Sequence, residues 1–385
     1  MENIQSKPIY LDYNATTPHA PEVIAAMRPY LEGHFGNPSS SHRYGRIAGE
    51  AVERARKQVA DFLNCLPEEI IFTSGGTESN NHAIKGVAFA NSKRGNHIIT
   101  SRVEHPAVTE VCKFLEATGF HVACIPVDRS GMIEPADVEK AITDKTILIT
   151  VMHANNEVGT IQPIEEISVI ARKKGILLHT DAAQSVGKIP ADVKLLGIDL
   201  LSVAGHKLYA PKGIGALYIR KGVNVSKFMH GAGQEGGLRA GTENVLEIVG
   251  VGMACEIADR DLDKNRLHMQ TMRDMLYTGL KERINDVSLN GHPEKRLPNT
   301  LSLSFKGISA NMLISKIQDF VAVSAGAACH SGGEKISSVL EAMEIPFEWA
   351  RGTVRFSTGK MTTEEDIRKT INIVADAVTS LRKAQ

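Results

Sequence analysis

The sequence predicts an α/β fold: a mostly parallel sheet of about seven strands with helices on both faces, and a smaller α+β domain attached to it. Short apolar runs alternate with amphipathic helical stretches from residue 70 to residue 219, as in sheets with helical crossovers. After residue 258 a charged helix begins a second region with strands of its own. We therefore predict a large domain at residues 15–258 and a small domain formed by residues 1–14 and 259–385.

The charge of the chain is balanced, with 44 Lys and Arg residues against 44 Asp and Glu residues. Without net charge it lacks the long-range field that general nucleic-acid and membrane-surface binders use, so we expect neither partner. No stretch approaches the ~18 apolar residues of a membrane span, and the first residues lack the apolar run of a signal peptide. These features favour a cytoplasmic protein.

The cysteines are too scattered to form a metal site or a disulfide framework. The chain shows no C-x-x-C pair and no histidine cluster at zinc-ligand spacing. A sparse, odd-numbered set suits a reducing compartment. We expect no metal site from these residues, which are Cys65, Cys112, Cys124, Cys255 and Cys329.

Apolar spacing predicts the elements in order. Residues 9–11 form a short strand before a polar loop, and Pro21 suits the first turn of a helix whose apolar residues recur at helical spacing. Further helices are predicted at residues 48–63, 83–88, 245–257, 310–317 and 363–381, with another beginning at Asp259. Further strands are predicted at residues 70–73, 97–100, 121–125, 147–152, 176–178, 200–203, 215–219, 300–305, 322–324 and 353–357.

A turn rich in glycine and hydroxyl groups follows the strand at residues 70–73. Ser74, Gly75, Gly76 and Thr77 lead into a helix, where free backbone N–H groups and the positive end of the helix dipole coincide. Such a turn can bind phosphate, and Gly76 and Thr77 are its candidate ligands. The alternative is that Ser74 or Thr77 only caps the helix.

Two more polar positions follow strand ends. His105 comes after the strand at residues 97–100, and the amides of Asn155 and Asn156 come after the strand at residues 147–152. The amides can donate to a ring oxygen or to a carboxylate. A surface histidine and an ordinary turn are the alternatives.

Asp181 and Lys207 carry the clearest chemical signal, because each follows an apolar strand-length run. A strand-end lysine that is partly desolvated can form a Schiff base with an aldehyde, whereas a solvated loop lysine is the alternative. An acid and then a lysine at successive strand ends is the order expected of a pyridoxal phosphate enzyme. In such an enzyme the Asp pairs with the pyridinium nitrogen of the cofactor and the Lys binds its aldehyde. We therefore predict pyridoxal 5'-phosphate as the cofactor.

Two segments remain that ordinary connectors do not explain. Residues 231–244 are rich in glycine, so ordering them costs much conformational entropy. We therefore expect them to pack against a ligand or a second subunit. Residues 324–333 are small and polar, and the thiol of Cys329 is their one large reactive group. A buried structural cysteine would have branched apolar neighbours, so the segment favours an exposed functional thiol on a mobile loop.

Together these motifs resemble those of cysteine desulfurases of the NifS/IscS type, in the class V aminotransferase branch of fold-type I pyridoxal phosphate enzymes. The resemblance covers nearly the whole chain. It rests on residues 11–18, 73–81, 154–159, 181–184, 205–207, 239–244 and 355–357 and on the Cys329 segment.

The resemblance implies a role for each candidate residue. Lys207 would carry the cofactor, Asp181 would pair with the pyridine nitrogen, and His105 would stack on the ring and move protons. The phenolic oxygen would be held by Gln184 and Asn156. The phosphate would be held by Gly76, Thr77 and His206, together with Thr242 of the partner subunit in a homodimer.

The resemblance also implies the substrate contacts and the reaction. Arg355, with Asn156, would bind the carboxylate of L-cysteine, and Cys329 would attack the substrate sulfur and leave as a persulfide. The products would be L-alanine and sulfur for a protein acceptor, such as an iron–sulfur scaffold or a thiolation partner.

Two departures from the pattern keep other functions open. Many desulfurases carry Ser or Thr before the Gly-His-Lys triplet, where this chain has Ala204. The sequence Ala-Ala-Cys-His-Ser around Cys329 resembles the corresponding segment of selenocysteine lyases, which release selenium from L-selenocysteine. The alternatives are therefore a selenocysteine lyase and, from a different class, a non-catalytic scaffold with the same fold.

Overall fold

The computed structural model describes residues 7–330 and 333–384, and of residues 327–330 and 333–335 it describes the backbone alone. The strands are β1 Ile9–Tyr10, β2 Ile70–Thr73, β3 His97–Ser101, β4 His121–Ile125, β5 Thr146–Thr150, β6 Leu177–Asp181, β7 Leu200–Ala204, β8 Gly215–Ile219, β9 Val287–Asn290, β10 Thr300–Phe305, β11 Val321–Ala322, β12 Ser324–Ala325, β13 Ala327–His330, β14 Gly333–Ile336 and β15 Thr353–Ser357. The helices are α1 Pro21–Glu32, α2 Arg43–Leu63, α3 Gly76–Ala90, α4 Pro106–Glu116, α5 Pro135–Ala141, α6 Ile164–Lys174, α7 Val193–Leu196, α8 Val245–Arg283, α9 Ala310–Ile317, α10 Ser338–Ala342, α11 Phe347–Ala350 and α12 Glu364–Lys383.

The large sheet has seven strands in the order β2-β8-β7-β6-β5-β3-β4. Helices α3 to α7 link successive strands from β2 to β7, so these strands run in one direction, and β8 alone returns antiparallel to β2 and β7. Apolar clusters cover both faces, one including α2 and α8 and the other α3 and α4. The predicted fold class is confirmed, and the carboxyl ends of β5, β6 and β7 meet at one edge.

A second, antiparallel sheet of four strands has the order β12-β15-β10-β9 and packs against α9 and α12. Phe305 and Phe356 are fully buried between them. The single strand predicted at residues 322–324 is two short strands, because β11 pairs with β1 whereas β12 pairs with β15. Strand β9 and the hairpin of β13 and β14 have no counterpart in the prediction.

The prediction of two helices around residue 258 is wrong, since α8 runs without a break from Val245 to Arg283. No glycine or proline occurs between residues 253 and 278, so nothing in the sequence ends the helix at that point. Its first half packs in the core of the large sheet, at Val251 and Ala254, and its second half packs in the core of the small sheet, at Leu276 and Leu280. The domain bounds stay a prediction, and the one at residue 258 falls inside this helix.

Within residues 7–330 and 333–384, no helix combines the length and the apolar content that crossing a membrane requires.

Candidate active site

A cavity of about 300 Å³ opens at the carboxyl ends of β6 and β7 and reaches the small sheet at Arg355. This size is within the range of small-ligand sites. Nine of the predicted site residues line it, namely Gly76, Thr77, His105, Asn156, Asp181, Gln184, His206, Lys207 and Arg355. Residues from six separate stretches of the chain therefore meet in one place.

Asp181 is the last residue of β6, and it is almost completely buried. Its Oδ2 accepts a hydrogen bond from Asn80 Nδ2 of α3 at 2.7 Å, and its Oδ1 accepts one from the backbone N–H of Ala183 at 2.9 Å. The two donors fix the orientation of the carboxyl group at the floor of the cavity.

Lys207 ends the short 3₁₀ turn that follows β7. Its Nζ donates to the backbone oxygens of Asn14 and Ala15, the latter at 2.7 Å. Burial, reinforced by the charge of Arg355, lowers the pKa of Lys207 to about 8, although Asp181 acts in the opposite direction. A useful fraction of the amine is therefore unprotonated, and nucleophilic, near neutral pH.

The N-terminus of α3 points its first N–H groups toward the cavity at Gly76 and Thr77. The N-cap residue is Gly75, and no side chain of the described residues caps the helix, so the alternative that Ser74 or Thr77 is only a cap is wrong. Gly75 has φ +144°, a conformation that glycine adopts readily. A Cβ at Gly76 would lie 3.1 Å from the Cβ of Ala204, so the backbone here packs closely on β7.

His105 is the N-cap of α4, and its Nδ1 accepts a hydrogen bond from the backbone N–H of Ala107 at 3.1 Å. Because Nδ1 is the acceptor, the neutral ring carries its proton on Nε2. Partial burial and the charge of Lys207 lower the pKa of His105, against the effect of Asp181. The neutral imidazole is thus the favoured form beside the cavity.

His206 precedes the lysine on the same turn, and its Nδ1 lies 3.2 Å from the hydroxyl of Thr16. Burial and the neighbouring charge of Lys207 lower the pKa of His206 to about 4. This histidine is therefore neutral at physiological pH, and it can act as a hydrogen-bond donor at the cavity wall rather than as a charge.

Arg355 lies on β15 and brings a cation to the cavity from the small sheet. It donates to Asp12 Oδ1 at 2.9 Å, to Ser324 Oγ at 3.1 Å and to the backbone oxygen of Asn156 at 2.9 Å. Its Nε is buried and finds no hydrogen-bond partner among the described residues. The guanidinium is therefore held in place and keeps one N–H available to a ligand.

Of the two neighbouring amides, Asn156 lines the cavity whereas Asn155 is used within its own turn. The Oδ1 of Asn155 accepts from the N–H groups of Glu157 and Val158, and its Nδ2 donates to Val103. The two alternatives at this position thus apply to different residues, a turn at Asn155 and a cavity contact at Asn156.

Thr242 is not among the described residues that line the cavity. Thr242 is exposed in the loop before α8. The backbone of Cys329 belongs to β13, and its thiol lies outside the part of the chain that the structure describes. The glycine-rich loop contacts its own chain, because Arg239 pairs with Glu78 in the first turn of α3 at 2.9 Å.

Three further residues belong to the site without having been predicted. Asn14 lines the cavity and accepts from Lys207 through its backbone oxygen, Asn80 holds Asp181, and the buried Lys188 contacts Gln184. Asn14 falls in the polar loop after β1, where the sequence pattern assigns no individual roles. The contact of Asn80 with Asp181 joins distant parts of the chain, and the contact of Lys188 with Gln184 lies in an irregular turn, so no local signal marks them.

The fold and the cavity define an enzyme of the pyridoxal phosphate class. A strand-end lysine of lowered pKa, a buried carboxylate and an uncapped helix N-terminus match the aldehyde, the ring nitrogen and the phosphate of that cofactor. The orphaned Nε of Arg355 adds an anion-binding group at the opposite wall. The residues present fit the cofactor.

The chain belongs to the aminotransferase class-V family, whose model matches residues 9–370. It is 50% identical over 375 residues to a protein named cysteine desulfurase IscS from Dictyoglomus turgidum, covering 97% of this chain and 95% of that protein. A solved structure called NifS-like protein superposes with a TM-score of 0.92 at 39% identity, covering 97% of this chain and 100% of the other. A second, SspA in complex with cysteine, gives a TM-score of 0.81 at 38% identity and covers 92% and 100%. Like its family, the chain is a pyridoxal phosphate enzyme.

Proposed function

We propose that this protein is a cysteine desulfurase that converts L-cysteine to L-alanine and transfers the sulfur to Cys329 as a persulfide. The observation that carries the proposal is the single cavity in which Lys207, Asp181, the N-terminus of α3 and Arg355 converge. The similarity to proteins named cysteine desulfurase, over nearly the full length, supports the same reaction.

The binding roles proposed for the cavity residues follow their chemistry. Lys207 binds the cofactor aldehyde, Asp181 pairs with the ring nitrogen, and His105 lies against the ring. When bound, pyridoxal phosphate supplies an electron sink that weakens bonds at the substrate carbon atoms. We assign the phosphate to Gly76, Thr77 and His206 and the phenolic oxygen to Asn156 and Gln184.

Substrate orientation and proton transfer fall to three side chains. The unpartnered Nε–H of Arg355 suits one oxygen of the substrate carboxylate, with the other contacts of the guanidinium retained. Asn156 contacts the same carboxylate. Because its pKa is about 8, Lys207 can both accept and return a proton near neutral pH. Neutral His105 can give the proton that it carries on Nε2 and then take it back at the same atom.

The backbone around Cys329 is compatible with delivery of its thiol to the cavity. Ser324, at one base of the segment, donates to Asp12 beside Arg355, and Ser337, at the other base, donates to Glu157 next to Asn156. Five residues of extended chain, the separation between Ser324 and Cys329, span at most about 17 Å. Both ends of the segment are thus anchored at the cavity rim, within reach of the substrate.

The experiment that tests the proposal measures product formation from two substrates. With L-cysteine and a thiol reductant, the purified holoprotein is expected to form alanine and sulfide in equal amounts. A selenocysteine lyase would consume L-selenocysteine and leave L-cysteine intact, and a scaffold would consume neither. Failure to turn over L-cysteine with cofactor bound would overturn the proposal.

We propose a cytoplasmic protein acceptor for the sulfur, such as a scaffold for iron–sulfur clusters or a thiolation partner. The four cysteines whose side chains the structure describes are all free thiols, as suits a reducing compartment. A thiolate of the acceptor can take the outer sulfur of a persulfide by the same kind of attack that exchanges disulfides.

Replacing Asp181 by Asn should leave cofactor binding in place but slow turnover by roughly 100-fold or more. The amide cannot stabilise a protonated ring nitrogen, and its NH₂ group would face one of two donors, Asn80 Nδ2 or the Ala183 N–H. Cofactor absorbance and the initial rate of alanine formation measure the two effects. The matched control is Asp137→Asn on the surface of α5. Near-normal rates in the Asp181 variant would remove Asp181 from this role.

A homodimer with a composite site is the proposed assembly. Leu31 and Phe35 at the end of α1 are 70% and 80% exposed, an unusual exposure for large apolar side chains. Near the start of α8, Glu243 and Glu247 each have a buried Oε2 without a partner among the described residues. A second copy could cover both features and bring Thr242 of the partner subunit to the phosphate.

Light scattering of the holoprotein is therefore expected to give the mass of two chains. Thr242→Val should raise the dissociation constant of the cofactor about tenfold, the effect of losing one hydrogen bond to a charged group. Cofactor titration of the apoprotein measures it, with the exposed Thr118→Val as the control. A fully active monomer would contradict the composite site.

A further inference from the structure

Lys188 is a buried amine that the reaction described above leaves unused. Only 4% of its surface is exposed, and it is not among the residues lining the cavity. Its Nζ donates to Gln184 Oε1 at 2.9 Å and to Asn14 Oδ1 at 3.3 Å. Among the described residues it forms no ion pair, so both of its partners are neutral amides.

The turn after β6 is shaped to put Lys188 there. Gly187 has φ +75°, a left-handed conformation, and a Cβ at this position would lie 2.0 Å from Leu208 Cδ1. Only glycine fits without displacing that side chain. The turn brings the lysine back toward Gln184, four residues earlier, behind the wall of the cavity.

The electrostatics of the position favour an uncharged amine. Burial, with the nearby charges of Lys207 and Arg355, lowers the pKa of Lys188 well below its ordinary value. A neutral amine has two N–H bonds, and two amide oxygens are there to accept them. A buried polar network of this kind is stable when each member is satisfied.

The contacts of Lys188 set the orientation of the Gln184 amide. With Oε1 bound to Lys188, the Nε2 of Gln184 is turned to the other side, where it donates to the backbone oxygen of Asn14 at 3.0 Å. That same oxygen accepts from Lys207 Nζ. The NH₂ group of Gln184 therefore lies beside the reactive lysine.

The side chain of Asn14 is oriented in the same way. Its Oδ1 accepts from Lys188 and from Asn299 Nδ2, the latter at 2.9 Å, so its Nδ2 points to Thr300 Oγ1 at 2.8 Å and to the backbone oxygen of Asn156. The side-chain amides of Gln184 and Asn14 thus both have their carbonyl oxygens turned toward Lys188.

We propose that Lys188 is a positioning residue that holds the Gln184 amide with its NH₂ group, rather than its oxygen, toward the phenolic oxygen of the cofactor. The proposal rests on the function given above and adds a residue that acts through Gln184. Without Lys188 only the hydrogen bond from Nε2 to the backbone oxygen of Asn14 still sets the orientation of the amide, so the flipped amide becomes more populated. An oxygen would then face an oxygen, and the negative charge on the phenolic oxygen would lose a donor.

Lys188→Met tests the proposal in the holoprotein, because methionine fills similar space without donating a hydrogen bond. A phenolic oxygen that has lost a donor holds its shared proton more tightly. The pH midpoint of the cofactor's visible absorbance change should therefore rise by about one unit. Lys221→Met, a surface variant, should leave the midpoint where it is in the parent.

A double-variant comparison separates positioning from general packing. If Lys188 acts through Gln184, the midpoint shift should disappear when Lys188→Met is made in a Gln184→Met background. A shift of equal size in both backgrounds, or an unchanged midpoint in the folded single variant, overturns the proposal. Should Lys188→Met not fold, Lys188→Gln replaces it. This variant keeps a donor amide and should shift the midpoint in the same direction by less.

The proposed function fails by a different result, absence of turnover of L-cysteine by the parent protein. In that case the pH midpoint of the absorbance of the bound cofactor still reports on Lys188. The proposed function and the positioning role of Lys188 can therefore be rejected independently of each other.

Discussion

Lys207→Ala is expected to abolish desulfurase turnover, lowering kcat/KM by roughly 10⁴-fold or more. The variant loses the amine that binds the cofactor aldehyde and also the group that moves protons at the substrate. Its fold should be retained, because the side chain contributes a desolvated amine bonded to two carbonyl oxygens rather than apolar packing. Alanine formation and far-UV circular dichroism measure the two outcomes.

The matched control for this variant is Lys212→Ala, which removes an exposed lysine five residues further along the same connection. It should keep parental activity and cofactor absorbance. Substantial desulfurase activity in Lys207→Ala, with the cofactor still bound through its aldehyde, would show that Lys207 is not the residue that binds the aldehyde.

The elements that the sequence predicts well are those defined by local pattern. Strands β2, β4, β8, β10 and β15 have the predicted bounds, because each is a short apolar or alternating run closed by turn-forming or polar residues. Asp181 and Lys207 come together in space because parallel strands place their carboxyl ends at one edge. The turn at Gly76 and Thr77, His105 and Asn156 could be chosen before the fold was known for the same reason. The choice of Gln184, His206 and Arg355 rests on the resemblance to cysteine desulfurases.

Features that depend on distant contacts could not be predicted in this way. The packing of α8 in two cores leaves no local signal, although the absence of glycine and proline from residues 253–278 is itself typical of one continuous helix. The network of Asn14, Gln184, Lys188 and Asn299 joins three separate segments, and a buried lysine there is unexpected from composition. Pairing of β11 with β1 likewise required the tertiary structure.

Cys329→Ala is expected to bind the cofactor and L-cysteine normally and to make almost no alanine or sulfide. In the proposed step the Cys329 thiolate attacks the substrate sulfur, forming an S–S bond as the C–S bond breaks. The electron pair of that bond stays with the substrate carbon, which is then protonated to give alanine, and Cys329 keeps the sulfur as a persulfide. Without a thiolate to receive it, the sulfur has no acceptor.

The measurement combines cofactor absorbance, its change on adding L-cysteine, and quantitation of alanine and sulfide. The matched control is Cys124→Ala, which removes an exposed thiol on β4 and should behave as the parent. The weaker carbon–selenium bond should let Cys329→Ala retain more activity on L-selenocysteine than on L-cysteine. If the variant turns over L-cysteine as the parent does, the persulfide mechanism is wrong; if the parent consumes only L-selenocysteine, the lyase becomes the function.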